Sequence, residues 1–195
     1  MADPYKYPGS EVLRNLPGLR DAHALENFEY EQSALRLSEL WNQSAKGKFD
    51  LAHLKAIHRY IFQDVYDWAG EIRVVSIAKN DQMFALPGFI EGEAARIQLQ
   101  LSGENFLRGL DLKKFVERIA YYFGEWNALH PLREGNGRTI RELVRVMTDG
   151  AGYEFDQMAI DNSSDQWNDA SVSSLQGDLE PIRKIFSRAV RAKRA

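Results

Sequence analysis

The sequence predicts a mainly α-helical bundle interrupted by one short β-hairpin. An apolar period of three and four residues runs through most of the chain, and a single β-branched run, at 71–86, breaks it. The composition agrees: 195 residues, 44% hydrophobic, are enough for one compact core, so the expectation is a single domain over 1–195. There is no cysteine, which excludes disulfides, zinc–thiolate sites and thiol nucleophiles.

Residues 21–41 read as the first helix, with Leu25, Phe28, Leu35 and Trp41 among its apolar positions. Phe49 and Asp50 form a staple and an N-cap for a second, amphipathic helix carrying Leu51, Leu54, Ile57, Ile61 and Phe62. The segment 71–86 holds Val74, Val75 and Ile77, then polar Lys79-Asn80-Asp81, then Met83-Phe84, a hairpin pattern. An isolated hairpin is only marginally stable, so this one must lean on the helices, either as a clamp beside a site or as a plain excursion.

A further helix is expected over 89–107. The clearest spans 112–129, where Leu112, Phe115, Val116, Ile119, Phe123 and Trp126 recur on nearly every turn, Asp111 can cap the start, and burial on most sides follows. After an irregular segment at 130–136, a helix over 137–148 places Ile140, Leu143, Val144 and Met147 toward the core, and Gly150 and Gly152 end it. Helices near 163–174 and 179–191 complete the chain. Residues 181–195 carry six basic groups and no acidic one, and 154–180 carry seven acidic groups and no Lys or Arg. The basic end reads as a solvated helix end, since no aromatic residues interleave its charges as in single-strand binders, and no direct nucleic-acid contact is expected. The N-terminus lacks a basic start and an apolar run, and no stretch nears the ~20 apolar residues of a membrane span. A soluble, cytoplasmic protein with no membrane contact is the expectation.

The chemistry concentrates in His130-Pro-Leu-Arg-Glu-Gly-Asn-Gly-Arg138-Thr-Ile-Arg141. Pro131, Gly135 and Gly137 keep two helices from merging, and the glycines let backbone N–H groups converge beside a helix N-terminus, a setting for phosphate oxygens. Arg138 and Arg141, three apart, are expected to share a face and both reach that pocket. Glu134 is a lone carboxylate of the kind magnesium takes beside a polyphosphate. His130 is a proton acceptor at the end of a rigid helix. Together these are the parts of nucleotidyl or phosphoryl transfer. No phosphate-binding loop with a Gly-Lys-Ser/Thr ending occurs, the third glycine of a dinucleotide fingerprint is missing, and Pro131 and Gly135 argue against a zinc helix.

This segment resembles the signature of the Fic family, HPFx(D/E)GNGRxxR, matching it throughout except at Leu132, where the family usually has Phe. The likeness extends to Ile57-His58-Arg59 and on through Phe62 to Gly70, and the whole chain resembles the small bacterial Fic toxins. The resemblance implies a Fic-type helical bundle with a core roughly at 50–150 and a flap at 71–86 over the active site. It implies a protein adenylyltransferase that moves AMP from ATP, with Mg2+, onto a hydroxyl side chain of another protein. His130 would deprotonate that hydroxyl and Glu134 would hold magnesium. Gly135, Asn136, Gly137 and Arg138 would cradle phosphates, and Arg141 would fix the γ-phosphate. Lys79 and Asn80 of the flap would cover the nucleotide; Trp167 would either wall the adenine or sit in the core. The related Doc kinases carry Lys where this chain has Gly137, which favours AMP transfer over phosphorylation. Alternatives are a transferase using another nucleotide or a phosphate donor, or a nucleotide-binding interaction module.

Many family members carry an inhibitory (S/T)xxxE(G/N) helix. Here Glu26-Asn27, Glu91-Gly92, Glu104-Asn105 and Glu134-Gly135 follow Ala22, Pro87, Gln100 and His130 by four residues, so none qualifies. The resemblance therefore implies a separate small antitoxin supplying a Glu near Arg141, and a target such as a subunit of DNA gyrase or topoisomerase IV.

Overall fold

The computed structural model describes residues 3–42, 47–79, 82–161 and 164–193. Asp21 accepts from the Ala24 N–H at 2.8 Å and starts helix α1, Ala22–Asn42. Its buried stripe is Leu25, Ser33, Leu37 and Leu40; Leu35 and Trp41 point outward. Helix α2, Leu51–Phe62, packs against α1 and begins where Asp50, in extended conformation, accepts from the His53 N–H. The buried Phe49 lies beneath this cap.

The hairpin is shorter than the β-branched run suggests. Strands β1, Ala78–Lys79, and β2, Gln82–Met83, pair antiparallel with Ala78 opposite Met83. Val74 and Val75 lie outside any strand, because the Val75 carbonyl is occupied by the Arg73 guanidinium and not by a partner strand. Asn80 and Asp81, at the tip, lie outside the described residues.

Helix α3 covers Ile90–Gly103, four residues short of the expected end. The Glu104 carboxylate takes both arms of Arg118 and the Tyr122 hydroxyl, and Asn105, Phe106 and Leu107 then turn with positive φ. Helix α4, Leu112–Leu129, coincides with the expected span, and Asp111 accepts from the Lys114 N–H at 2.9 Å. It is the axis of the core, packing against α3, then against α5 (Asn136–Gly150), α7 (Ser164–Leu175) and α8 (Glu180–Ala189). Between α5 and α7 run β3, Tyr153–Phe155, and the short α6, Gln157–Asp161.

The last expected helix is also corrected. It ends at Ala189, and Val190–Ala192 form strand β4, antiparallel to β3. Val190 is β-branched and extended, and the Asp156 N–H bonds the Ala189 carbonyl at 2.7 Å, which draws the chain out of the helix. Cations of the basic end meet acids of this chain: Arg183 and Lys184 pair with Glu180, and Arg191 pairs with Asp156 and Lys193 with Asp149, the last two at 2.8 Å. No helix among the described residues is long and apolar enough to cross a membrane.

Candidate functional site

Helix α4 stops at His130, whose backbone is left-handed (φ 46°, ψ 60°) while its N–H still reaches the Trp126 carbonyl at 3.0 Å. A left-handed conformation is unfavourable for a side chain with a Cβ, so neighbours must hold it there. Leu132, fully buried, anchors the loop in the core as expected of an apolar residue at this position. The Asn136 carboxamide brackets the Leu132 peptide, accepting from its N–H at 2.9 Å and donating to its carbonyl at 2.8 Å. Gly135 then turns the chain into α5 at φ 75°, and a Cβ there would lie 2.3 Å from the Phe62 ring. At Gly137 a Cβ would meet nothing within 4 Å. The first N–H groups of α5 have no carbonyl partner within the helix, as at every helix start.

These residues border a cavity of about 380 Å³. His130, Arg133, Glu134, Asn136 and Gly137 line it from the loop and the start of α5, with Lys79 and Phe84 from the hairpin side. The apolar part of its lining is Phe123 of α4, Ile140 of α5, and Trp167, Val172 and Leu175 of α7. The shape suits a ligand with a flat apolar part and an anionic part.

The His130 ring is stacked on Phe84, centroids 3.7 Å apart and planes 15° apart. Its Nδ1–H donates to the Asn127 carbonyl at 3.1 Å, since a carbonyl can only accept, and this leaves Nε2 as a lone-pair acceptor. Burial first, with the nearby Arg73 and Lys79 charges adding to it, lowers the ring's pKa to about 4 despite the opposing hydrogen bond to Asn127. The Asn127 carboxamide donates to the Ser171 carbonyl and the Ser174 hydroxyl of α7, at 2.8 and 2.9 Å.

Glu134 is held through its backbone. The His58 Nε2–H donates to the Glu134 carbonyl at 3.1 Å, while the Gly70 N–H donates to His58 Nδ1 at 2.8 Å. One Glu134 carboxylate oxygen accepts from the Gly135 N–H. Among the described residues no group of three or more His, Asp or Glu could hold a metal. One hard carboxylate fits magnesium only where phosphate oxygens and water complete the shell, so the donor set matches a metal that arrives with a nucleotide.

The two arginines diverge. Arg138 turns to α1, pairing with Glu29, donating to the Ser33 hydroxyl at 2.8 Å and lying over the Phe62 ring. It lines a neighbouring cavity of about 410 Å³, which shares Glu134 with the first. Arg141 turns to α7, its Cζ 5.9 Å from the Trp167 ring centroid. The expectation that both guanidinium groups enter one pocket is therefore corrected: their helix start faces two cavities, and Glu29 claims the first arginine. Gly135 lies against Phe62, outside the cavity wall, and Asn136 gives its side chain to the loop. Trp167 packs in the core on Phe123 and Phe186 and also lines the cavity.

Sequence reasoning missed Arg133, which the Asp3 carboxylate holds with two bonds of 3.1 and 2.7 Å. It missed Phe84, Asn127 and, apart from Trp167, the α7 residues that line the cavity. It also missed Arg73, for which a signal existed: one cation inside the apolar run Ile72-Arg-Val-Val.

The Fic/DOC family profile matches residues 48–148. The chain is 42% identical over 186 residues to the protein adenylyltransferase VbhT of Bartonella schoenbuchensis, covering 95% of this chain and 38% of that protein. It is 39% identical over 189 residues to the "Probable protein adenylyltransferase Fic" of Escherichia coli K12, covering 96% and 92%. Among solved structures, the ADP-bound N-terminal Fic domain of a Bartonella quintana cell filamentation protein superposes with a TM-score of 0.89 at 26% identity, covering 97% and 95%. BepC of Bartonella tribocorum with bound AMPPNP gives 0.88 at 25% identity, covering 97% of each chain. The chain thus spans well under half of the Bartonella schoenbuchensis relative and nearly all of the Escherichia coli one.

Proposed function

This chain belongs to the Fic/DOC family, and from that premise we propose that it transfers AMP from ATP to a hydroxyl side chain of another protein. The observation that carries the reading is the His130 ring: its Nδ1–H is committed to Asn127, so its basic Nε2 serves the cavity that the α5 N-terminus also borders.

In this reading the adenine lies against Trp167 and Val172, and the phosphates lie against the start of α5. The free N–H groups of Asn136, Gly137 and Arg138 bind phosphate oxygens. Arg138 acts through its backbone while Glu29 keeps its guanidinium, and Arg141 holds the γ-phosphate. Glu134 would hold magnesium, which supplies neutralising charge to the phosphates. His130 Nε2 takes the proton of the target hydroxyl as its oxygen bonds the α-phosphorus. The bond from that phosphorus to the bridging oxygen breaks, and pyrophosphate leaves. The negative phosphates offset the charges of Arg73 and Lys79 near the ring and raise its basicity in the complex. Lys79 covers the nucleotide.

The resemblance to small Fic toxins extends the proposal to a cytoplasmic toxin acting on a type II topoisomerase subunit. The absence of an (S/T)xxxE(G/N) segment in the sequence supports a separate antitoxin that supplies a Glu near Arg141.

The test is incubation of the purified protein with magnesium, a bacterial lysate and ATP labelled at the α-phosphate. A labelled protein heavier by one AMP is the expected product, reduced roughly 10²–10⁴-fold in His130→Ala. Equal labelling by that variant, or a mass gain of one phosphate, would refute the reading.

A further inference from the structure

Arg73 is 1% exposed, and every side-chain partner it has among the described residues is a backbone carbonyl. A buried guanidinium without a carboxylate is expensive unless its N–H groups find acceptors, and here four bonds engage all three nitrogens and four of the five donors. Two acceptors close the C-terminal end of α4, Leu129 at 3.3 Å and His130 at 2.7 Å. The other two flank the hairpin, Val75 at 2.8 Å and Ala85 at 2.5 Å. Backbone bonds run beside them: the Arg73 N–H reaches the Pro131 carbonyl at 3.0 Å and the Ala85 N–H reaches the Ala128 carbonyl at 3.3 Å.

The carbonyls at the end of a helix have no intrahelical donor, and they carry the negative pole of the helix. Arg73 caps them with a positive charge and at the same moment ties both roots of the hairpin to them. Next in the chain to Ala85 is Phe84, which stacks on the His130 ring. The backbone of His130 is left-handed and must be held, and the guanidinium sits on its carbonyl.

We infer that Arg73 is a positioning residue that ties the hairpin over the cavity to the backbone of His130, so that lid and proton acceptor are set as one unit. The inference rests on the reading of His130 as the base. Arginine is required because one planar group must serve two sides; lysine offers three donors from a single point and cannot reach both. The charged groups around the ring are Arg73 and Lys79 on the hairpin side and Arg133 and Glu134 on the loop.

The experiment compares Arg73→Lys and Arg73→Met with the unaltered protein by three readouts. In the first, trypsin cleavage after Lys79 is expected to speed up roughly tenfold in both variants. In the second, nuclear magnetic resonance titration of the His130 ring is expected to give one Nδ1–H tautomer in the unaltered protein. The titration should move to higher pH in Arg73→Met, where the positive charge is gone, and less in Arg73→Lys. In the third, kcat for AMP transfer should fall roughly 10²-fold in Arg73→Met with KM for ATP little changed, and the acid limb of the pH profile should move up. The first two readouts need no transfer, so an inactive unaltered protein would sink the functional reading alone and leave the clamp to be judged by them. Unaltered trypsin cleavage and an unaltered ring titration in a folded Arg73→Met would overturn the inference. So would failure of both variants to give a native near-ultraviolet spectrum, because Arg73 would then serve folding and not positioning.

Discussion

Two imidazoles, the buried His58 and the half-buried His130, carry much of the pH behaviour expected of the fold. His58 and His130 are both lowered by burial to a pKa of about 4, from the usual 6.5. The folded chain therefore resists protonating them, while the unfolded chain does so readily. The stability this contributes is complete above about pH 6.5, declines as the pH falls, and is gone once both states are protonated below about pH 4, at up to about 3 kcal/mol for each ring. Urea midpoints measured from about pH 7 to 4.5 should fall steeply, and a His58→Asn variant, whose carboxamide can still bond the Glu134 carbonyl, should show a shallower fall. At this scale the sequence was most informative for the segment His130 to Arg141, because its residue types are chemically specific and adjacent. It was silent on partners that folding brings from afar. Glu29 is 109 residues from the Arg138 it holds, and Asp3 is 130 from Arg133. No local pattern announces such pairs.

Among the elements, α4 was legible to the residue because both ends are written locally: a capping Asp111 before it and a Pro after His130. The hairpin was legible in place but not in length, since a tertiary contact, the Arg73 side chain on the Val75 carbonyl, overrides the β preference of Val74 and Val75. Strand β4 was missed for a similar reason, its edge being supplied by the distant β3, whose Phe155 pairs with Val190. The turn into α5 yields a sharp contrast between two glycines. Gly135→Ala should cost about 2–4 kcal/mol, because the added Cβ meets the Phe62 ring at 2.3 Å and the backbone is left-handed. Gly137→Ala, with open space at its Cβ, should change stability by less than about 1 kcal/mol while narrowing the cavity. Thermal melts of the two variants side by side check this.

For the molecule as a whole, the N-terminal residues matter more than their turns and isolated Lys6–Leu13 bridge suggest. Asp3 grips Arg133 at the cavity, and the Tyr5 hydroxyl accepts from the Val74 N–H at 3.2 Å beside the hairpin root. Asp3→Asn should cost only about 1 kcal/mol in unfolding, since the pair is partly exposed. Its larger effect should be on nucleotide binding, a rise in KM for ATP as Arg133 comes loose, measured in the same transfer assay.

Asn127 has two ends with separate duties: its carbonyl orients the imidazole, and its carboxamide grips Ser171 and Ser174. Any slippage of the helix bearing those serines would thus twist the His130 ring at a distance, so in the proposed reaction accurate seating of α7 is a condition for turnover and not merely for affinity.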